Sequence, residues 1–386
     1  MNLYEINKTI TYIFICILIT GCSISNSVEK PYKFEEESFI KKPNINSKFN
    51  QYPREFNILI SDDSKLQKEI SLGIIANYFY YKINKDYAPK INIKKINYDK
   101  NNSKCFEGIN PSKFTFIVLT DKNFNISSRC KSSLAKLNGI QIIAEDAYKI
   151  DAPKLYAFEV KEGDKEIIIN HAILQNKTKA IILDQNEDEH LYSLLMNWKK
   201  SGGKVLESKK INKKNISELI PETLYINESN NRLNKVENII KAKVNSTPRT
   251  RQDAEVLVLS TELDIARSLK PSLEYNYGER ISVYLIPSWN NKDTYEKKEL
   301  DLEGTIFIEM PWVVGLNQDF NINEEITRTR AFAIGYDAYE IFLLLSSKTK
   351  VDYFGLTGKI TIKQSKINRK DILIKVYEGK LVPIGY

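Results

Sequence analysis

The chain is poor in the residues that most enzymes use for chemistry. It holds only two histidines, His171 and His190, among 386 residues, and four cysteines. No G-x-G-x-x-G, G-x-x-x-x-G-K or G-x-S-x-G occurs, so the glycine-rich loops that cradle phosphates and the nucleophile elbow of α/β-hydrolases are missing. The formal net charge is +8, yet the lysines are scattered and no arginine-rich patch is interleaved with aromatics. The footprint of nucleic-acid binding is therefore absent, and no nucleic-acid partner is expected. The apolar run Thr9–Thr20 is short of the roughly 20 residues that a membrane-spanning helix needs. The densest acidic cluster is Asp184, Glu187, Asp188 and Glu189 beside His190. One reading is a metal site. The other is a strand end followed by an acid-rich first helical turn, which complements the helix dipole. The second is preferred, and the chain is expected to carry no catalytic residue, no metal and no cofactor.

What is present is ordinary globular composition, 42% hydrophobic and 27% charged, with length for one large domain or two medium ones. Residues 23–54 are polar, mixed in charge and without a sustained apolar period; they read as a tether whose ends lie about 30 Å apart as a flexible coil. From Phe56 short apolar strands alternate with helices: FNILI, KEISLGIIANYFYYKI, KINIKKINY, FTFIVLT, SLAKLNG, IQIIA, KEIIINHAILQN, KAIILD, EDEHLYSLLMNWKKSGG, KVLESKKI, NNRLNKVENIIKAKV, AEVLVLS, TELDIARSLKPSLEYNYG and ISVYLIPS. That alternation means βαβ units and parallel sheets, with more units than one sheet comfortably takes. Two similar α/β lobes are expected. After Trp312 come a loop, the apolar helix ITRTRAFAIGYDAYEIFLLLSS, and alternating strands with turns at Gln364–Asn368 and Glu378-Gly379.

The N-terminus reads as a secretory signal, a weakly positive start followed by an apolar core. It ends in Ile19-Thr20-Gly21-Cys22. This resembles the lipobox of bacterial lipoproteins, in which the cysteine is lipidated and the signal is cut before it. The other reading is an ordinary signal with an incidental cysteine. In enterobacteria-like sorting, Ser23 after the cysteine implies delivery to the outer membrane, and three acyl chains make a stable anchor. With Cys22 lipidated and residues 1–21 removed, Cys105 and Cys130 remain, an even count in an oxidising compartment. A disulfide between them would add roughly 3 kcal/mol; two separate buried thiols are the alternative.

The second half of the chain resembles the penicillin-binding-protein activator lipoproteins, the LpoA/LppC family. The resemblance begins at KLYAFEVKEGDKE, runs through Trp198 and Gly202-Gly203, and is strongest from Pro248 onward: RTRQDAEVLVLSTELDIARSLKPSL, ISVYLIPSWN, DLEGTIFIEMPW, RAFAIGYDAYEIF and GLTGKITI. In residues 55–153 it is weaker, with Ser61-Asp62-Asp63-Ser64 where the family has a Pro-Leu-Ser-Gly-like loop. Longer family members carry a helical domain before the lobes; residues 23–54 stand in its place here. The resemblance implies an α/β fold of the type I periplasmic-binding-protein kind: two βαβ lobes with parallel sheets joined by crossing segments. The expected division is a signal over 1–21, lipidated Cys22 and tether over 22–54, a first lobe over 55–157 plus 323–352, a second lobe with crossing segments over 158–322, and C-terminal strands near the hinge over 353–386. It also implies an outer-membrane lipoprotein that binds a class A penicillin-binding protein and stimulates peptidoglycan synthesis without doing chemistry itself. A lipid-anchored solute-binding protein for a small periplasmic ligand is the alternative.

The motif residues that this resemblance singles out are Arg251, Asp253, Pro271, Asp301, Gly304, Met310, Pro311, Trp312, Asp337, Tyr339, Gly355 and Gly358. An Arg251–Asp253 pair near a sheet end reads as a structural clamp. Asp337, inside an apolar helix, must be hydrogen-bonded or paired; it is either a satisfied acid tying the helix to the crossing segments or a cleft group facing a ligand. Gly355 and Gly358 suit tight turns. In the fold implied, Thr305–Ile308 is the last strand of the second lobe; Pro311 ends it, and Trp312 with Met310 is expected to pack at the hinge, against both lobes, rather than to touch the partner directly.

Overall fold

Parallel strands cannot be joined by tight hairpins, and the strands Glu55–Ile60, Lys179–Asp184, Lys204–Lys210 and Val256–Thr261 are each followed by a helix that carries the chain back. The computed structural model describes residues 52–60, 65–95, 114–118, 141–143, 155–158, 162–186, 188–212, 216–288, 295, 298–316, 328–348, 350–363 and 366–385. Cys22, Cys105 and Cys130 lie outside the described residues.

The elements in chain order are β1 (Glu55–Ile60), α1 (Lys65–Lys85), β2 (Lys90–Lys95), β3 (Phe114–Val118), β4 (Gln141–Ile143), β5 (Leu155–Phe158), α2 (Glu162–Leu174), β6 (Lys179–Asp184), α3 (Asp188–Lys200), β7 (Lys204–Lys210), α4 (Ile216–Thr223), α5 (Ile226–Ile240), β8 (Val256–Thr261), α6 (Leu263–Tyr275), β9 (Ser282–Pro287), β10 (Ile306–Glu309), α7 (Arg330–Ser346), β11 (Asp352–Gly355), β12 (Gly358–Lys363), β13 (Lys366–Lys370), β14 (Ile372–Tyr377) and β15 (Lys380–Gly385). They form two sheets. The first has the order β11-β12-β13-β5-β4-β3-β1-β2, the second β15-β14-β10-β9-β8-β6-β7. Within each, strands of the βα units pair in parallel, and antiparallel C-terminal strands extend one edge. This is the expected α/β architecture of two lobes with parallel sheets joined by crossing segments.

The central strands are apolar along their length because both faces are covered. All six residues of β8 are buried, and β6 buries every residue after Lys179. The first core gathers Phe56, Ile58, Ile70, Ile74, Tyr81, Tyr339 and Phe342 between sheet and helices; the second gathers Ile168, Ile182, Trp198, Val258, Tyr284 and Ile308. Tyr52 and Pro53, read from sequence as tether, are already buried, and Tyr87 donates its hydroxyl to the Pro53 carbonyl at 2.8 Å.

The chain passes between the sheets three times: between β5 and β6 by way of α2, between β10 and β11 by way of α7, and between β13 and β14 at Asp371. Three local readings change accordingly. The strand containing Thr305–Ile308 is not the last of its sheet, because β14 pairs with β10 and β15 with β14. Lys366, Ile367 and Asn368, read within a turn at Gln364–Asn368, belong to β13 instead. The segment RKDILIKVY between the two turns, read as one strand, breaks at Asp371, and its halves join different sheets. The Glu378-Gly379 turn stands as read, with φ of 52° and 71°, the left-handed pair that a two-residue hairpin prefers.

Candidate functional site

In the second sheet the strand order reverses at β6, with β7 on one side and β8 on the other. In open α/β sheets the crevice at such a reversal, outside the carboxyl ends of the strands, is where ligands bind. Here those ends carry Asp184, Gln185 and Asn186 after β6, Ser260 and Thr261 at β8, and Ser288 after β9. These groups bond to one another. The Asn186 amide donates to Asp184 Oδ1 at 3.0 Å and to Ser260 Oγ at 2.9 Å, and the Ser288 hydroxyl donates to Asn186 Oδ1 at 2.9 Å. Thr261 Oγ1 donates to Gln185 Oε1 at 2.6 Å. His190 Nδ1 lies 3.3 Å and Lys210 Nζ 3.7 Å from the Asp184 carboxylate. Burial by itself would raise the Asp184 pKa, but hydrogen bonds with His190, Ser260 and Asn186 hold it below the ordinary value. Of the acid cluster of the sequence, Asp184 is buried among partners, whereas the Asp188 side chain is exposed and meets the same Lys210 at 3.2 Å. Among the described residues no group of three His, Cys, Asp or Glu is placed to hold a metal ion.

The motif residues converge elsewhere, where the second and third crossings meet the β11–β12 turn, Gly355-Leu356-Thr357-Gly358. Asp337 of α7 accepts the Leu356 amide at 3.0 Å, the Thr357 amide at 2.7 Å and the Thr357 hydroxyl at 2.7 Å. A β-carbon on Gly355 would overlap that carboxylate, and one on Gly358, whose φ is +113°, would overlap the Lys370 carbonyl at the third crossing. The Trp312 amide of the second crossing donates to the Leu356 carbonyl at 3.1 Å. One four-residue turn therefore touches α7 and two crossings at once. Asp337 is fully buried; desolvation pushes its pKa up to about 7, against the hydrogen bonds from Thr357 and Leu356 that pull it down. The structure gives it a satisfied, tying role.

Trp312 stacks on Phe332 with ring centroids 5.1 Å apart. It clusters with Met310, with Ala333 and Tyr336 of α7 and with Leu356 of the β11–β12 turn, and Ala76 of α1 packs against that cluster. Pro311 is buried, one residue beyond Met310, which follows the strand. Tyr339 packs in the first core against Phe56, with centroids 5.5 Å apart. Arg251 and Asp253 form a two-pronged ion pair at 2.8 and 3.0 Å; Arg251 also reaches Glu207 at 2.6 Å and lies 4.4 Å over the Tyr225 ring. That hydrogen bonding lowers the Asp253 pKa and raises that of Arg251. Pro271 lies inside α6, Asp301 is exposed in the short 3₁₀ turn Leu300–Leu302, and Gly304 takes φ +76° just before β10.

Sequence reading passed over the acids that hold these parts together. Glu309, the last residue of β10, is 1% exposed. It accepts from Arg330 Nε at 3.0 Å, again from Arg330 Nη2, and from the Tyr295 hydroxyl at 2.6 Å. This ion pair joins the second sheet to the first turn of α7. Glu340 is buried with Asn77 and Tyr81 of α1, and Glu299 with Arg267 of α6. The available signal was an acid at the end of, or within, an apolar run, which burial obliges to find a partner.

Residues 180–377 match the family described as "LppC putative lipoprotein". The chain belongs to the LppC family. This LppC member is 23% identical over 186 residues to the penicillin-binding protein activator LpoA of Vibrio vulnificus (strain YJ016), an alignment covering 45% of the chain and 31% of that relative. It thus spans about a third of the relative's length. Among solved structures, the C-domain of LpoA (YraM) from Haemophilus influenzae, described as a regulator of PBP1A, superposes with a TM-score of 0.55 at 13% identity, covering 86% of this chain and 99% of that one. A protein from Rhodospirillum rubrum described as a branched-chain amino acid ABC transporter superposes with a TM-score of 0.59 at 13% identity, covering 86% and 99%. The fold is therefore shared with that protein as well, and the likeness speaks for architecture alone.

Proposed function

We propose that this chain is an outer-membrane lipoprotein that binds a class A penicillin-binding protein and stimulates its peptidoglycan synthesis, acting by contact rather than by catalysis. Residues 1–21 are its signal, Cys22 its lipidated residue and the following residues its tether. The observation that carries the reading is the LppC family match over residues 180–377, which takes in the second sheet apart from its edge strand β15, the second and third crossings and the turn that joins them. The strand ends of the second sheet favour it over a solute-binding role. Their polar groups bond to one another, and a small ligand would have to displace those bonds at a cost of about 1 kcal/mol each.

The test is capture. Full-length protein in detergent, tagged at its C-terminus, is passed over membrane extract in mild salt. A class A penicillin-binding protein is expected to co-purify and to gain cross-linking activity when the purified pair is mixed; its absence from the eluate overturns the reading. Cys22→Ser is expected to abolish incorporation of labelled palmitate. A rise of several degrees in Tm with an amino acid would instead favour the solute-binding role.

A further inference from the structure

Helices α4 and α6 do not close against each other along their whole length. Between them lies a surface groove of about 530 Å³, lined by Ile216, Ser217 and Pro221 of α4 and by Ser268, Ser272, Tyr275 and Asn276 at the end of α6. Ser217 and Pro221 are four residues apart on one helix, as are Ser268 and Ser272 on the other, so small side chains occupy a shared face of each and leave space.

The lining has a definite chemistry. No residue in it is charged, in a chain where 27% of residues are. Asn276 is 9% exposed; its amide nitrogen donates to the Ser272 carbonyl at 2.8 Å. Among the described residues its Oδ1 accepts no hydrogen bond, and the hydroxyls of Ser217, Ser272 and Tyr275 make none. Pro221 lacks an amide hydrogen and so offers none to the Ser217 carbonyl one turn earlier. Tyr275 is 85% exposed and presents a ring with an apolar face and a polar tip. Hydroxyl groups and an amide oxygen around an open aromatic face suit a neutral ligand covered in hydroxyls, whose ring C–H groups lie on the aromatic face. An anion or cation would find no counter-charge here, and an apolar ligand would cover the Asn276 oxygen without pairing it.

We infer that the α4–α6 groove binds a short stretch of a neutral glycan. The ligand class follows from the lining; the choice of cell-wall glycan as its source rests on the proposed role in peptidoglycan synthesis.

The experiment is co-sedimentation of the full-length protein in detergent with insoluble peptidoglycan, with soluble chitotetraose as a peptide-free competitor. Wild type is expected to sediment and to be released by chitotetraose. Tyr275→Ala should weaken binding about ten-fold, the loss of one favourable ring contact, and Ser272→Leu, which fills the groove, should do the same. Tyr275→Phe should bind nearly as wild type. All three should still capture the penicillin-binding protein. Sedimentation no greater than that of albumin, wild-type binding by Tyr275→Ala, or failure of chitotetraose to compete overturns the inference; the last would assign the ligand to the wall peptides. Loss of penicillin-binding-protein capture by Tyr275→Ala would make the groove a protein contact and overturn it equally. If wild type fails only to capture that protein, the proposed function falls while the glycan site stands.

Discussion

Gly355 lies against the Asp337 carboxylate with no room for a β-carbon between them. An acid in α7 and a glycine at the end of β11 thus form one device: the carboxylate satisfies the amides of the turn, and the missing side chain lets it approach. Gly355→Ala is expected to destabilise the protein by about 1–3 kcal/mol, the usual cost of overpacking. Gly385→Ala, where nothing lies within 4 Å of the added carbon, should stay within about 0.5 kcal/mol of wild type. Urea denaturation measures both, and equal effects would remove the proposed fit.

Asp337 carries a pH dependence of defined sign. Its folded pKa, raised by burial to about 7, lies above the ordinary 3.8. The folded state therefore holds the proton more tightly, and the contribution is fully present below about pH 4 and lost as pH rises through 7. In Asp337→Asn that dependence should vanish, so the stability of wild type relative to the variant falls from pH 4 to pH 8. The variant should also lose about 1–3 kcal/mol, because its NH₂ faces the Thr357 donors. A stability difference that does not change with pH refutes the assignment.

Trp312 is 4% exposed and stacked on Phe332. Trp312→Ala should cost about 3–5 kcal/mol in chemical denaturation, as large buried truncations do. Unchanged stability with loss of penicillin-binding-protein capture would turn this residue from packing into a contact.

The Glu309–Arg330 pair crosses between sheets, and its carboxylate is fully buried. Glu309→Gln or Arg330→Met alone should cost about 3–5 kcal/mol by stranding one buried partner. Combining the two should cost less than the sum, by about 0.5–3 kcal/mol of coupling. Additive effects in the double-mutant cycle would show that the pair is not energetically joined.

Much of the fold is legible in local pattern. Strands such as AEVLVLS are covered on both faces and so read as unbroken apolar runs, and the Glu378-Gly379 turn follows from its own residues. Helix α4 escaped because it is short and contains Pro221, a residue that argues against a helix. The break at Asp371 escaped because β13 and β14 continue one extended pattern, and which sheet each half joins is decided by distant strands.

The same division holds at the site. The amino-acid sequence alone determined that the chain is built from βα units, that nucleotide and hydrolase loops are missing, and that Asp337, Gly355, Gly358 and Trp312 belong to distinct short motifs. Only the tertiary structure decided that these motifs meet at one turn, that Asp337 is bonded to that turn, and that Glu309 finds Arg330. Periodicity reports which face of an element is apolar. Pairing of a buried acid depends on what stands opposite it, and residues so far apart in the chain are brought opposite one another only when the two sheets and their crossings have formed.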